Sequence, residues 1–432
     1  MSREIYLRVA IAALLSHTLN ALAANDDELQ AIRERIQQLE SRINQPTTPV
    51  SGGEGEFNPA ISLILGGTYG SLRQDPAIPA TGFAMSANPG HEQGFNLGES
   101  ELVITANIDP QFRGAGRFAI DPAGGLSAED VYVQTGALGE GLSLKMGRFL
   151  SGLGYLNEKH AHTWDFVDQP LVYATLWDNQ LGEDGLQLKW LAPTDMFVEI
   201  GGEIGRGRGF PGSDRQGKNG AGAGVLFAHL GDDIGIEQSW RAGLSLHETK
   251  SVDRPSNAVD LLGVPNGLFS SFSGDSRTAG VDLVWKYAPN GNLRNRYVKL
   301  QGEYFRRRES GLLTYDINSV SSPPPITDSY AVTQSGWYLQ SVVQFMPHWR
   351  AGLRHDRLDP GIAAVGASIA GNVISDYGYR PSRTSLMLDY SPSEFSRLRL
   401  QLAHDNSQRD MVDDQLFVQY IMSMGAHGAH QY

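Results

Sequence analysis

A period of two recurs along most of this chain, and it constrains the fold more than any single motif. From Ala60 onward sixteen segments alternate apolar with polar side chains, as strands with one apolar and one wet face do. They cover 61–71, 97–108, 112–121, 129–136, 142–151, 185–191, 197–206 and 220–230. The second half continues with 237–249, 278–287, 297–307, 336–346, 349–358, 383–390, 396–404 and 416–424. In the last of these, Leu416, Val418, Tyr420, Met422 and Met424 share one parity, and the sequence ends a few residues later on Tyr432.

The connections carry a second pattern. Short ones, at 109–111, 137–141, 192–195, 231–233, 288–295, 347–348 and 391–395, alternate with mostly long ones. The largest are 72–96, 152–184, 250–277, 309–335 and 359–382. Short turns at one end and long loops at the other are the asymmetry of membrane-spanning barrels, and a soluble sandwich has no reason for it. The faces agree. Leu186, Leu188 and Trp190 share a face opposite Gln187 and Lys189, and Leu398, Leu400 and Leu402 lie opposite Arg397, Arg399 and Gln401. Trp337 and Phe345 share an outward face; at about 3.3 Å per residue and about 40° of tilt they lie roughly 20 Å apart along the membrane normal, the spacing of two aromatic girdles.

The N-terminus supplies the address. Arg3 and Arg8 precede an apolar run from Val9 to Leu15, and Ala21, Ala23 and Ala24 follow, which predicts a signal peptide over 1–23. Beyond it no run reaches the roughly 18 to 20 apolar residues of a membrane helix, so a membrane span here must be a closed barrel. Leu29, Ile32, Ile36, Leu39 and Ile43 then follow heptad spacings within 26–45, which predicts a short periplasmic coiled-coil helix. So short a helix is marginal alone and needs a partner, either sister subunits or its own barrel. A Pro- and Gly-rich linker over 46–57 leads into the barrel, 58–432. The chain has no cysteine, and its net charge of −13 argues against nucleic acid as a partner.

A signal peptide, a short heptad helix, a linker, sixteen alternating segments and a terminal aromatic together resemble the trimeric outer-membrane porins, most closely the phosphate-selective branch with an N-terminal coiled coil. The resemblance is architectural and covers nearly the whole chain. It implies an all-β, 16-stranded antiparallel transmembrane barrel in the bacterial outer membrane, assembled as a homotrimer. It also implies passive diffusion of small hydrophilic solutes, with no resident cofactor or metal.

Strand parity turns Arg113, Arg117, Lys145, Lys189, Arg241 and Lys286 inward. It does the same for Lys299, Arg350, Arg354, Arg397 and Arg399, and for the acidic Glu101, Glu199, Glu203, Asp282, Glu303, Asp356 and Asp389. Basic groups outnumber acidic ones, so the lumen is expected to prefer anions weakly unless the charges pair across the wall. No dense Arg/Lys cluster is evident from spacing.

The third long loop, 152–184, is the expected constriction, with Tyr155, Glu158, Lys159, His160, His162, Trp164, Asp165, Asp168 and Trp177. His160 and His162 with Glu158, Asp165 and Asp168 contain donors suited to a transient metal cation, while an ordinary hydrogen-bonded constriction needs no ion. His427 and His430 form a weaker pair. Arg306, Arg307 and Arg308 end a strand where lipopolysaccharide phosphates are in reach, or form a solvated rim. Two other classes make different demands on the sequence. A barrel hydrolase would need a clustered nucleophile and base, and no Gly-x-Ser-x-Gly elbow occurs. An uptake receptor for metal or another specific substrate would need a plug domain, for which only about 35 residues separate the signal peptide from the first strand.

Overall fold

The computed structural model describes residues 59–425, apart from 76–77, 88–90, 99, 121–124, 137, 214–218, 257–266, 321–323 and 371–377. The expected signal peptide, coiled-coil helix and linker, and with them His427, His430 and Tyr432, lie outside the described residues.

Sixteen strands form an antiparallel wall that closes on itself. The first half comprises β1 (Ala60–Ser71), β2 (Ser100–Asn107), β3 (Phe112–Ile120), β4 (Leu126–Thr135), β5 (Leu142–Leu150), β6 (Gly182–Leu191), β7 (Phe197–Gly205) and β8 (Ala223–Ile234). The second comprises β9 (Gln238–Pro255), β10 (Ser271–Tyr287), β11 (Tyr297–Tyr315), β12 (Ile326–Met346), β13 (Trp349–Asp359), β14 (Ser382–Ser393), β15 (Ser396–Gln408) and β16 (Met411–Gly425). β1 closes the barrel by pairing with both β2 and β16, so the wall has no free edge. Two short ribbons, Gly94–Asn96 and Ala364–Val365, add to β1 and β12 at the long-loop end.

The wall faces follow from the period of two. Outward positions carry Leu244, Leu246, Val281, Leu283, Leu400 and Leu402, all exposed. A continuous belt of exposed aliphatics is stable only against lipid. Aromatics bound the belt. Trp349 packs on Tyr390 near the short turns, with ring centroids 4.7 Å apart, and Tyr304 pairs across strands with Trp337 at the other boundary.

The wall is uneven in height. β2 to β7 have 8 to 10 residues, whereas β9 to β12 have 18, 17, 19 and 21. At about 2.5 Å of rise along the membrane normal per residue, β12 spans about 50 Å, twice the apolar belt. Segments expected as loops within 250–277 and 309–335 are therefore strand in part, since β9 runs on to Pro255, β10 begins at Ser271, β11 reaches Tyr315 and β12 begins at Ile326. The cause is an inversion of pattern at the membrane boundary. Below it Val298, Leu300 and Tyr304 of β11 point outward to lipid. Above it the outward residues are Arg306, Arg308 and Ser310, and the apolar Leu313 and Tyr315 turn inward and are buried.

Candidate functional site

Residues 151–181, between β5 and β6, fold into the barrel. Asn157 ties the neck of this loop. Its Nδ2 donates to the carbonyls of Ser151 and Leu181, 2.8 and 3.0 Å away, and its Oδ1 accepts from Leu181 N–H at 2.7 Å. The loop then crosses the lumen by offering backbone N–H groups to wall carboxylates. Gly152 N–H donates to Glu203 at 2.8 Å, Tyr155 and Leu156 N–H to Glu303 at 2.9 and 3.1 Å, and Leu171 N–H to Asp356 at 3.0 Å. Glu303 accepts two more bonds, from the hydroxyls of Tyr173 and Tyr338. Four donors on one buried carboxylate fix the loop to β11.

The far side of the loop is held by charge. Asp165 pairs with Lys299 and with Arg350 at 3.1 Å, and Arg350 also pairs with Asp389 on β14. Asp168 pairs with Arg354 at 2.9 Å and Arg383 at 2.7 Å. Burial opposes the charged form of Asp168, but Arg354 and Arg383 outweigh it and hold this carboxyl well below the usual range. Arg399 donates to the carbonyls of Trp164 and Phe166 at 2.6 and 2.9 Å, and Arg397 lies under those of His162 and Trp164. Of the residues expected to line a pore, Glu203, Arg350, Arg354 and Arg399 are thus buried against the loop they anchor.

Between these anchors the loop contains an element that spacing did not suggest, the helix α1 (Leu171–Trp177), nearly all of it buried. Its Tyr173 and Trp177 pack edge-on against Phe305 of β11, with centroids 5.3 and 4.6 Å apart. Leu153, Val172, Leu176, Phe227 and Leu358 complete an apolar core inside the barrel. A second core of Met85, Leu268, Phe272, Leu313, Tyr330 and Ile369 lies among the tall strands and the loops between them. Arg307, expected at the rim, turns inward between the two cores. It has no exposed surface and donates to Leu176 O, Ser86 Oγ and Gln334 Oε1. Only Arg306 and Arg308 face outward. Inward side chains around the outer half of the ring are accordingly buried, and this half of the lumen is filled by packed protein.

The half nearer the short turns is different. Arg113 is exposed, and Arg117, Lys145, Lys189, Glu199, Arg241 and Arg397 keep part of their surface in solvent. Lys159, from the underside of the loop, stands among Lys189, Arg241 and Lys299, and Lys286 lies within electrostatic reach of Lys299 and Lys159. Burial and these cations lower the Lys159 ammonium from its ordinary value, although Glu158 beside it acts the other way. Glu158 itself pairs with Lys189 at 2.9 Å. Tyr155 lies under both Lys159 and Arg241, at 5.5 and 5.1 Å from its ring centre. Five cations from the loop and four strands meet here, a cluster the sequence disperses over 140 positions. Each of those strands contributes only one or two of its charges, which is why spacing along the chain gave no sign of it.

The histidines of the loop do not meet Glu158, Asp165 or Asp168, which are taken up by Lys189, Lys299 and the arginines. They face the opposite wall. His160 lies 3.3 Å from Glu129 and 3.3 Å from Asp130 on β4, and His162 lies 3.1 Å from Glu101 on β2.

No protein-family model matches the chain. An uncharacterized protein of Aquifex aeolicus (strain VF5) is 28% identical over 410 residues, which cover 87% of this chain and 80% of that protein. Among solved structures, a loop L8 deletion mutant of OmpT, an outer membrane protein of Vibrio cholerae, superposes with a TM-score of 0.53 at 11% identity, covering 85% of this chain and 99% of that one. The trimer form of in-vitro folded OmpT gives 0.50, also at 11% identity and with the same coverage. The likeness at this identity shows the fold, a closed antiparallel β-barrel of the kind these outer membrane proteins have, here with an outward apolar belt and a charged interior.

Proposed function

We propose that this barrel is a passive channel for small hydrophilic solutes, with a preference for anions, and that it works as a homotrimer. The observation that carries the reading is the cation cluster of Lys159, Lys189, Arg241, Lys286 and Lys299, which sits where the folded-in loop meets the solvated half of the lumen. Converging cations with low-dielectric walls raise the local concentration of anions. Glu158 and Asp165 offset part of this charge, so the preference is moderate rather than absolute. The packed outer half favours a narrow, substrate-restricted route over a wide general pore. The trimer form in which the Vibrio cholerae protein was solved supports the oligomeric state. The outward Arg306 and Arg308, with Arg277 on the adjacent strand, suit contact with lipopolysaccharide phosphates.

The test is single-channel recording in planar bilayers with asymmetric potassium chloride. The expected reversal potential is that of a small, anion-preferring conductance whose preference weakens at high salt. A wild-type channel that favours potassium would overturn the anion reading, and protein that inserts as a folded barrel yet conducts nothing would overturn the channel.

A further inference from the structure

We propose that His160 of the folded-in loop, with Glu101 and Glu129 of the wall, binds a divalent transition-metal ion of the zinc class. One ligand atom from each of the three lies within 4.8 Å of the others. The imidazole is already oriented for the task. Its Nδ1 faces Glu129 Oε2 at 3.3 Å, while its Nε2 faces Asp130 Oδ2 at 3.3 Å. Asp130 is itself immobilised, by Arg117 at 2.7 Å and by Leu150 N–H at 3.0 Å. One ring nitrogen thus faces a carboxylate that is free to ligate, and the other rests on a carboxylate that is not. That division of roles is the arrangement by which a metal-binding histidine is held in place.

Glu101 gives a second, independent indication. The residue has no exposed surface, and its Oε2 has no hydrogen-bond partner among the described residues, while Oε1 lies 3.1 Å from His162. A buried carboxylate oxygen without a partner is costly, and a bound cation would satisfy it. The charge balance points the same way. Glu101 and Asp130 both lie in electrostatic reach of Arg117, and with Glu129 they make three carboxylates beside His160 and His162. Bonds of about 2.0 to 2.2 Å put the ligands of a tetrahedral ion about 3.3 Å apart. His160 Nδ1 and Glu129 Oε2 already stand at that spacing, so the remaining contraction brings Glu101 toward this pair. Imidazole together with two carboxylates selects zinc-like ions over magnesium, which takes oxygen ligands and keeps its water.

Such an ion would fasten the loop to β2 and β4, on the side of the lumen that the arginine anchors do not reach. The test is zinc binding to the full-length, folded barrel in detergent by isothermal titration, with heat-modifiable migration as the check of fold. One zinc per chain is expected, with affinity at least about 10-fold weaker in His160→Ala and in Glu129→Gln, and no comparable binding of magnesium. Glu129 is partly exposed, so its conservative replacement leaves the barrel intact. Zinc binding equal in wild type and folded Glu129→Gln, no zinc uptake by wild type, or equal binding of magnesium would each overturn the site and leave a simple histidine–carboxylate clasp.

Discussion

The two halves of this lumen are built from the same sixteen strands and obey opposite rules. In the outer half Phe305, Trp177, Tyr173 and Leu358 form a dry core, and the charges there are neutralised in pairs, as Arg254 is by Glu309 at 2.8 Å. In the half nearer the short turns, cations from separate strands stand together, partly solvated, with Lys189 paired to Glu158 and Lys299 to Asp165. Whether a face becomes core or channel is decided by what the loops deliver to it. The third loop delivers both, an apolar helix on its upper side and Lys159 beneath.

The largest effect on this contrast is expected from Tyr173→Ala combined with Trp177→Ala. Removing two buried aromatics costs the loop about 3 to 5 kcal/mol each, enough to unseat α1 while the wall persists. Conductance should rise severalfold with heat-modifiable migration unchanged; an unaltered current would show that the core does not obstruct the route. Acid should act next. Asp165 and Asp168 are held below their ordinary values despite burial, so their contribution to seating the loop is full above about pH 4 and is lost as pH falls toward their folded-state values. Conductance should therefore be the same at pH 7 and pH 5 and should increase only below about 4. A rise already complete at pH 5 would assign the seating to other groups.

A smaller change in current, but a reversal of sign in selectivity, is expected from Lys159→Glu with Arg241→Glu and Lys286→Glu, read as the reversal potential in asymmetric salt. Retention of anion preference would move the selective field elsewhere in the lumen. The weakest effect belongs to Arg306→Gln with Arg308→Gln. These exposed side chains should alter co-purification of lipopolysaccharide by a few-fold at most, because surface charges each contribute about 1 kcal/mol or less.

The wall could be read from the sequence because lipid imposes a strict rule on it. Leu398, Leu400 and Leu402 have to face outward, and the period of two follows. Above the membrane the rule reverses, and Leu313, Tyr330 and Val332 face inward where Glu248, Lys250 and Arg277 face water. A reading tuned to lipid-facing alternation therefore stops at the boundary and calls the rest loop. The loop anchors were harder still. Parity turned Arg350, Arg354 and Arg399 inward, but nothing in parity distinguishes a guanidinium that meets solvent from one that holds a carbonyl. α1 did leave a trace, the mostly apolar run from Leu171 to Trp177 after Pro170, which a reader expecting a polar loop has no cause to weigh. Asn157 left none, since its role depends on two carbonyls brought together by the neck it ties.

The anchors of the third loop also impose an order on assembly. The partners of this segment stand far down the chain: Glu303 is 148 positions from Tyr155, Asp356 is 185 from Leu171, and Gln401 is 234 from Val167 and 233 from Asp168. Contacts of such sequence separation form late, because each requires a large closure to be completed first. β11, β13 and β15 must stand in register before the loop has anywhere to bind. The wall therefore closes around an interior that is still wet, and the drying of its outer half is the final event in maturation.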